Sequence, residues 1–534
     1  MNARWVSRAM VFALIAIGCQ WLCSCVPSNV RELSQSRARS DFHFRHSMAD
    51  LLKNRSANAR ETYNEQVREC LEMILHQHEL AAWRGVISAG AHEIRIDGGT
   101  NELLQLDPKD FDEISIIHQP EGGDEVHSLA AQKGWGIPVV MSQEFRAEKA
   151  TGKKLFPLNG RHLPATAVLD VDTSGHMALR FYHTRNVDHA WLGGKMYPLA
   201  FDLTTPLHRS LRGKLFQDIA FHGLIDSDRY LEDTGIYVPD VYDPEKIPLV
   251  FVHGLKSDPR VWQNAMNEVL RDPYLRKKYQ CWYFLYPTGL PVYASAAKLR
   301  RMLAMARDHY DPSHRNPQMK RMVLVGHSMG GLLGRMQTID SGEDIYRAFF
   351  TRPLEQLPLK QGTKDLIRDS MVFKRVDFIQ RVVFVASPHQ GSSIAQVPIV
   401  RAIGMLVNPT HSLDAVTLDI RLNAHHDLQP ELHKFSNMGC RSVQTLSPQH
   451  PILKSLQKRP IQVPCHSIIA RLQKKRELLD TSDGVVAYWS SHVAQAKSEC
   501  VVHGSHGCTR LPEVSSEILR ILRLHVRELN EWEG

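Results

Sequence analysis

From residue 249 onward, short runs that are apolar throughout alternate with stretches of helical periodicity, and no other feature limits the fold so closely. The runs are LVFV (Leu249–Val252), CWYFLY (Cys281–Tyr286), MVLV (Met322–Val325), RVVFVA (Arg381–Ala386), HSIIA (His466–Ala470) and CVV (Cys500–Val502). A strand apolar on both faces must be covered on both faces, as in a parallel sheet between helical layers. Helices expected between and after these strands include Ser295–Arg307 and Val514–Leu524, the latter with Val514, Ile518, Ile521 and Leu522 on one stripe. Such alternation predicts an α/β fold: a mostly parallel open sheet flanked by helices, with ligands at the carboxyl ends of its strands.

A different grammar precedes it. Residues 48–84 read as helical, with Tyr63, Val67, Leu71 and Ile74 on one face. From about 110 to 236 short strands are expected, and ATAVLDVDTSGHMALRFYH (Ala165–His183) is a hairpin around Thr173-Ser174-Gly175 by its turn chemistry. The Pro- and Asp-rich YVPDVYDPEKIP (Tyr237–Pro248) reads as a linker. The expected organisation is an N-terminal helical and β-rich module over 48–236, followed by an α/β domain over 237–534. At 534 residues, 43% hydrophobic and 23% charged, the chain can bury a large core without a disulfide framework or structural metal.

The first residues, MNARWVSRAMVFALIAIGCQWLCSCVPS, carry Arg4 and Arg8 ahead of an apolar stretch from Ala9 to about Leu22. That is the pattern of an export signal, and it is marginal for a membrane span of about 20 apolar residues. Leu22-Cys23-Ser24-Cys25 resembles the lipobox of bacterial lipoproteins, which implies acylation of Cys25 as the new N-terminus. Ala16-Ile17-Gly18-Cys19 is a second such box, and simple secretion or an uncleaved anchor are the alternatives. The expected location is the outer membrane or periplasm of a bacterium, with residues 26–47 as a polar tether and the membrane surface as partner. A net charge of +8 over this length gives weak attraction to anionic membranes at most. Without a basic tract interleaved with aromatics, no nucleic-acid partner is expected. Cys70, Cys281, Cys440, Cys465, Cys500 and Cys508 permit disulfides without giving their connectivity, and both a Cys500–Cys508 bridge and buried free thiols stay open. Neither a CxxC pair nor HExxH suggests a metal, and no cofactor is expected.

Within the alternating part, Gly326-His327-Ser328-Met329-Gly330 fits G-x-S-x-G between an expected strand and helix, the setting of a nucleophile elbow. The spacing has a steric cause. A turn this sharp brings the backbones two residues before and two after the serine together, where only glycine fits. Chance alone would produce the pentapeptide in roughly one chain in ten of this length, so the strand and helix around it carry the reading. The amide of Met329, at the helix N-terminus, would face a developing oxyanion. His253-Gly254-Leu255 ends another buried strand, and the amide of Leu255 is the expected second donor.

The base and its orienting acid should follow in chain order. Asp483, in SDGVV, is favoured over Asp480, which adjoins a charged helical stretch. His506, on the loop after the last strand and six residues before Pro512, is favoured over His503, which ends that strand. His327 reads as a packing residue.

From Tyr237 onward the chain resembles bacterial α/β-hydrolases of the lipase/esterase type, and is similar to GPI inositol-deacylase-like serine hydrolases. The resemblance rests on VFVHGL, VGHSMGG, VVFVASPHQGSS, SDGVV and GSHG…LPEVSSEILRIL. It implies an α/β-hydrolase fold, a Ser328–His506–Asp483 triad and a lipid or other ester substrate, with His389 of SPHQGS in a structural or pocket-lining loop. Insertions at 339–375 and 392–443, apolar with scattered basic residues, would form a helical cap, either packed or mobile. The same residues leave open an acyltransferase, a peptidase or a non-catalytic binding protein.

Overall fold

A computed structural model of the chain describes residues 43–144, 155–392, 411–432 and 442–533, apart from 81, 82, 84, 124 and 125. The expected export signal with Cys19 and Cys25, most of the expected tether, Cys440, and residues 393–410 and 433–441 of the second insertion lie outside the described residues.

The N-terminal part begins with helices α1 (Met48–Lys53) and α2 (Ala57–Gln77), so the helical stretch expected over 48–84 is divided and ends early. The division has a local cause: Ser47 caps α1, and Ser56 caps α2 by accepting from the Ala59 amide at 3.1 Å. Tyr63, Val67, Leu71 and Ile74 on α2 are all fully buried. They pack on a sheet of β1 (Val86–Ala89), β2 (His92–Ile96), β3 (Gln105–Leu106), β4 (Glu113–Ile116), β5 (Ile137–Gln143), β6 (Arg161–Val171) and β7 (Met177–His183). Its order is β1-β2-β7-β6-β5-β4, with β3 also paired to β7. The expected hairpin is β6–β7, antiparallel from Ala165↔His183 to Val171↔Met177. Strands begin well before residue 110, however, because Gly90 (φ 60°) closes an unexpected hairpin between β1 and β2.

Helix α3 (Thr204–Leu211) lies where only short strands were expected; its Leu207 and Leu211 join the core of the second sheet. That sheet contains β8 (Gly235–Tyr237), β9 (Ile247–Val252), β10 (Tyr279–Leu285), β11 (Met322–His327), β12 (Ile379–Val385), β13 (Cys465–Arg471) and β14 (Ser498–His503). The order is β8-β10-β9-β11-β12-β13-β14. Only β8 is antiparallel, and all six apolar runs read from the sequence lie in its parallel strands, apart from the last residues of two. Successive residues face opposite layers, the period-2 consequence of a pleated strand. Val250 and Val252 enter one core with α5 (Val292–Tyr310), α6 (Met329–Arg335) and α7 (Gln361–Met371); Leu249 and Phe251 enter the other with α4 (Gln263–Arg271) and α9 (Pro512–Glu533). This is the expected α/β-hydrolase fold. Between α7 and α9, α8 (His411–Asn423) lies in the second insertion, as α7 lies in the first.

The segment read as a linker is not an exposed one. Tyr237, Val238, Asp240 and Lys246 are buried. Asp240 pairs with Arg185 at 3.0 Å and His183 at 3.1 Å on the N-terminal side. Burial opposes ionisation here, but Arg185 and the contact with His183 together hold the Asp240 carboxyl well below its ordinary range. Cys70, Cys281, Cys465, Cys500 and Cys508 are free thiols, so no Cys500–Cys508 bridge forms. No helix among the described residues is long and apolar enough to cross a membrane.

Candidate active site

Strand β11 delivers Ser328 at the carboxyl edge of the sheet, and α6 begins at the next residue. Ser328 has φ 54° and ψ −123°, a conformation that non-glycine residues rarely hold and that the surroundings must enforce. They do so by crowding. A Cβ on Gly326 would lie 2.5 Å from the Gly330 carbonyl oxygen, and one on Gly330 would run into the carbonyl oxygens of Val252 and His253. A Cβ on Gly331 would strike the Ser387 hydroxyl on the loop after β12. The serine amide is itself held by the Val385 carbonyl at 2.9 Å.

His506 lies on the loop between β14 and α9, and its Nε2 stands 2.8 Å from Ser328 Oγ. Its Nδ1 is 2.7 Å from Asp483 Oδ2. With Nδ1–H donating a hydrogen bond to the carboxylate, Nε2 is left as acceptor for the serine hydroxyl. Asp483 is almost fully buried, yet its other oxygen accepts the amides of Val485 (2.8 Å) and Val486 (2.6 Å). The tight loop that makes this geometry turns at Gly484 (φ 93°), and the His506 amide donates back to the Asp483 carbonyl at 2.9 Å. The three side chains singled out in the sequence therefore meet. The alternatives do not: His503 reaches the Leu472 carbonyl at 3.2 Å and is exposed, and Asp480 is exposed in a short 3-10 turn.

Gly254 passes directly beside the serine, since a Cβ there would be 2.9 Å from Ser328 Cβ. The amide of Leu255 follows it, and that of Met329 is the first of α6, without an intrahelical acceptor. Two residues holding this loop carried no sequence signal. Tyr286 Oη donates to the His253 carbonyl at 2.8 Å, and Thr288 Oγ1 accepts the Lys256 amide at 3.1 Å, where the backbone is left-handed (φ 52°). Both follow strand β10, and only the parallel pairing of β9 with β10 puts them there.

The neighbouring histidines are neutral supports. His327 is buried and donates from Nε2 to the His506 carbonyl at 2.8 Å. Burial, reinforced by His506, pushes its pKa down to about 3. His253, stacked on Tyr286, is pushed down to about 4 by burial. His389 is packed edge-on against Phe384 and held well below its ordinary value by burial and by Arg335. Its loop supports the acid: Ser392 Oγ donates to the Val485 carbonyl, and Ser490 Oγ to the Gly391 carbonyl, each at 2.5 Å. Among the described residues no cluster of three or more His, Cys, Asp or Glu side chains is placed to share a metal ion.

No protein-family model matches the chain. No curated protein matches it either. Among solved structures, a lipase of Bacillus licheniformis in mature form is 16% identical, over 52% of this chain and 93% of its own, with a TM-score of 0.30. The lipase of Staphylococcus hyicus is 14% identical over 50% of this chain and 90% of its own, with a TM-score of 0.31. EstA of Clostridium botulinum is 12% identical over 51% and 86%, with a TM-score of 0.30.

Proposed function

We propose that the chain is a serine hydrolase that cleaves carboxylic esters through an acyl-enzyme. One observation carries the reading: an unbroken line of hydrogen bonds from Asp483 through His506 to a serine held in left-handed backbone geometry. In this reading Ser328 Oγ attacks the ester carbonyl as His506 Nε2 takes its proton. Asp483 fixes the tautomer and offsets the charge of the imidazolium. The amides of Leu255 and Met329 receive the oxyanion, and removal of one such donor costs about 3 kcal/mol in the barrier. His506 then protonates the departing alcohol, and water, activated by the same imidazole, releases the acid.

The test is hydrolysis of p-nitrophenyl esters, with a fluorophosphonate to label the nucleophile. Wild type should turn over and take the label; Ser328→Ala should do neither. A Ser328→Ala protein with full activity would remove the proposal, and a wild type inert to both reagents would leave a non-catalytic binding protein. The same triad would serve an acyltransferase or a peptidase, which product analysis with alcohol and amine acceptors separates. In this reading the lipobox-like residues before Cys25 support an exported, membrane-anchored enzyme; metabolic labelling with an alkyne fatty acid, lost in Cys25→Ser, tests that anchoring, and an unlabelled wild type would remove it.

A further inference from the structure

A cavity of about 250 Å³ lies between α5, α7 and α8, and none of Ser328, His506 or Asp483 lines it. Its interior is apolar: Leu290, Tyr293, Phe349, Phe350 and Leu428 line it and are all buried. Two of its interior polar groups are engaged, Thr445 Oγ1 accepting the Val292 amide at 3.3 Å and His450 Nδ1 the Ile452 amide at 3.3 Å. The volume exceeds the ~150 Å³ that suffices to hold benzene in a dry cavity.

The mouth is different. Leu366 (40% exposed), Arg301 and Arg421 line it at the surface, with Lys298 half-buried beside them. Asp369 opposes this charge, at 3.4 Å from Arg301, but both side chains of that pair are more than half exposed and the contact is a weak one. The nearby acids are engaged elsewhere, Asp365 with Arg368 at 2.7 Å and Asp419 with the Lys360 amide at 2.9 Å.

The polarity runs the wrong way for the acyl chain of a substrate. Helix α5 starts at the carboxyl edge of the sheet, just after Thr288 touches the loop beside Ser328. Leu290 and Tyr293 are therefore the end of the cavity near the triad. Arg301 lies about 12 Å further along the helix than Tyr293, at 1.5 Å per residue. An acyl group held on Ser328 would point its methyl end at these cations. A free carboxylate entering from the mouth would put its charge on them and its chain inside.

We propose that this cavity is a second ligand site, for a single long-chain carboxylate whose headgroup meets Arg301 and Arg421 and whose tail fills the interior. Burying each methylene should raise affinity roughly fourfold until the interior is full.

Titration of the full chain with octanoate, decanoate and dodecanoate, below their micellar concentrations and without other detergent, tests this. Affinity should climb along the series. Dodecyltrimethylammonium, with the same tail and opposite charge, should bind at least tenfold more weakly than dodecanoate. Arg301→Glu combined with Arg421→Glu should reverse that preference. Ala297→Trp, which fills the interior, and Leu366→Glu, on the exposed mouth where folding is not at stake, should each weaken dodecanoate at least tenfold. Dodecanoate affinity should be the same after Ser328 is capped with a diethyl phosphate group. Affinity that survives Leu366→Glu and the double charge reversal, or that the Ser328 cap abolishes, would overturn the proposal. Should Ser328 prove unreactive, the esterase reading fails while the dodecanoate titration still reports on the cavity.

Discussion

Asp483→Asn is the most discriminating single substitution, because asparagine keeps an oxygen for the Val485 and Val486 amides but can no longer fix the His506 tautomer. Turnover of p-nitrophenyl butyrate should fall about 10⁴-fold, with the thermal midpoint little changed; a loss under tenfold would remove Asp483 from the triad. Gly254→Ala acts by volume instead. Its Cβ would arrive 2.9 Å from Ser328 Cβ and 3.0 Å from His327 Nδ1, so either the loop or the serine must shift. A fall in kcat of at least tenfold is expected, read in the same assay. The serine, the histidine and the acid were legible because each sits in a short glycine-marked stretch whose local geometry its own sequence dictates. Tyr286 and Thr288 were not, since their partners lie 33 and 32 residues away in the chain.

Thr288 connects that residue chemistry to the elements. Thr288→Val deletes the acceptor of the Lys256 amide, a hydrogen bond whose loss is typically worth about 1–2 kcal/mol, and frees the loop that carries the Leu255 amide. A roughly 5- to 30-fold loss in kcat with little change in KM is expected, restored by Thr288→Ser; equal activity of the valine and serine variants would show that the loop is held otherwise. A second device lies at the opposite end of the sheet. Arg381 on β12 donates to His466 Nε2 on β13 at 2.5 Å and to His525 Nδ1 on α9 at 3.1 Å. Both rings must stay neutral to accept. Burial, then Arg381, pushes His466 down to about 3 and His525 to about 4. Because the unfolded chain takes up these protons below about pH 6.5 and the folded one does not, stability present at neutral pH is lost as the pH falls from there toward 4. His525→Gln should flatten this dependence by up to about 1.4 kcal/mol per pH unit, measured by urea unfolding at pH 7 and pH 5.

At the scale of the molecule the same linkage accumulates. His253, His327, His389 and His450 are buried and depressed as well. A fold whose total stability is about 5–15 kcal/mol cannot hold all of these rings neutral far below pH 5. The thermal midpoint should drop steeply between pH 7 and pH 5, and a flat profile would mean that these rings are hydrated or charged in the folded state. The earlier third of the chain was the least legible. Strands β1 to β4 are only two to five residues long and the sheet is paired out of chain order, β2 lying beside β7, so their pattern is set by distant partners. Likewise Asp240, in an Asp- and Pro-rich stretch that looks solvated in isolation, is buried beside Arg185 and His183, more than 50 residues earlier in the chain. By itself the sequence determined the doubly covered parallel strands and the glycine-lined turn at Ser328, since apolar runs and glycine sterics act within a few residues. Only the tertiary structure decided which loops meet over the serine, where the charged interior pairs lie and that an apolar cavity opens beneath a cationic mouth, because these are contacts between segments whose separation along the chain exceeds the reach of any local rule.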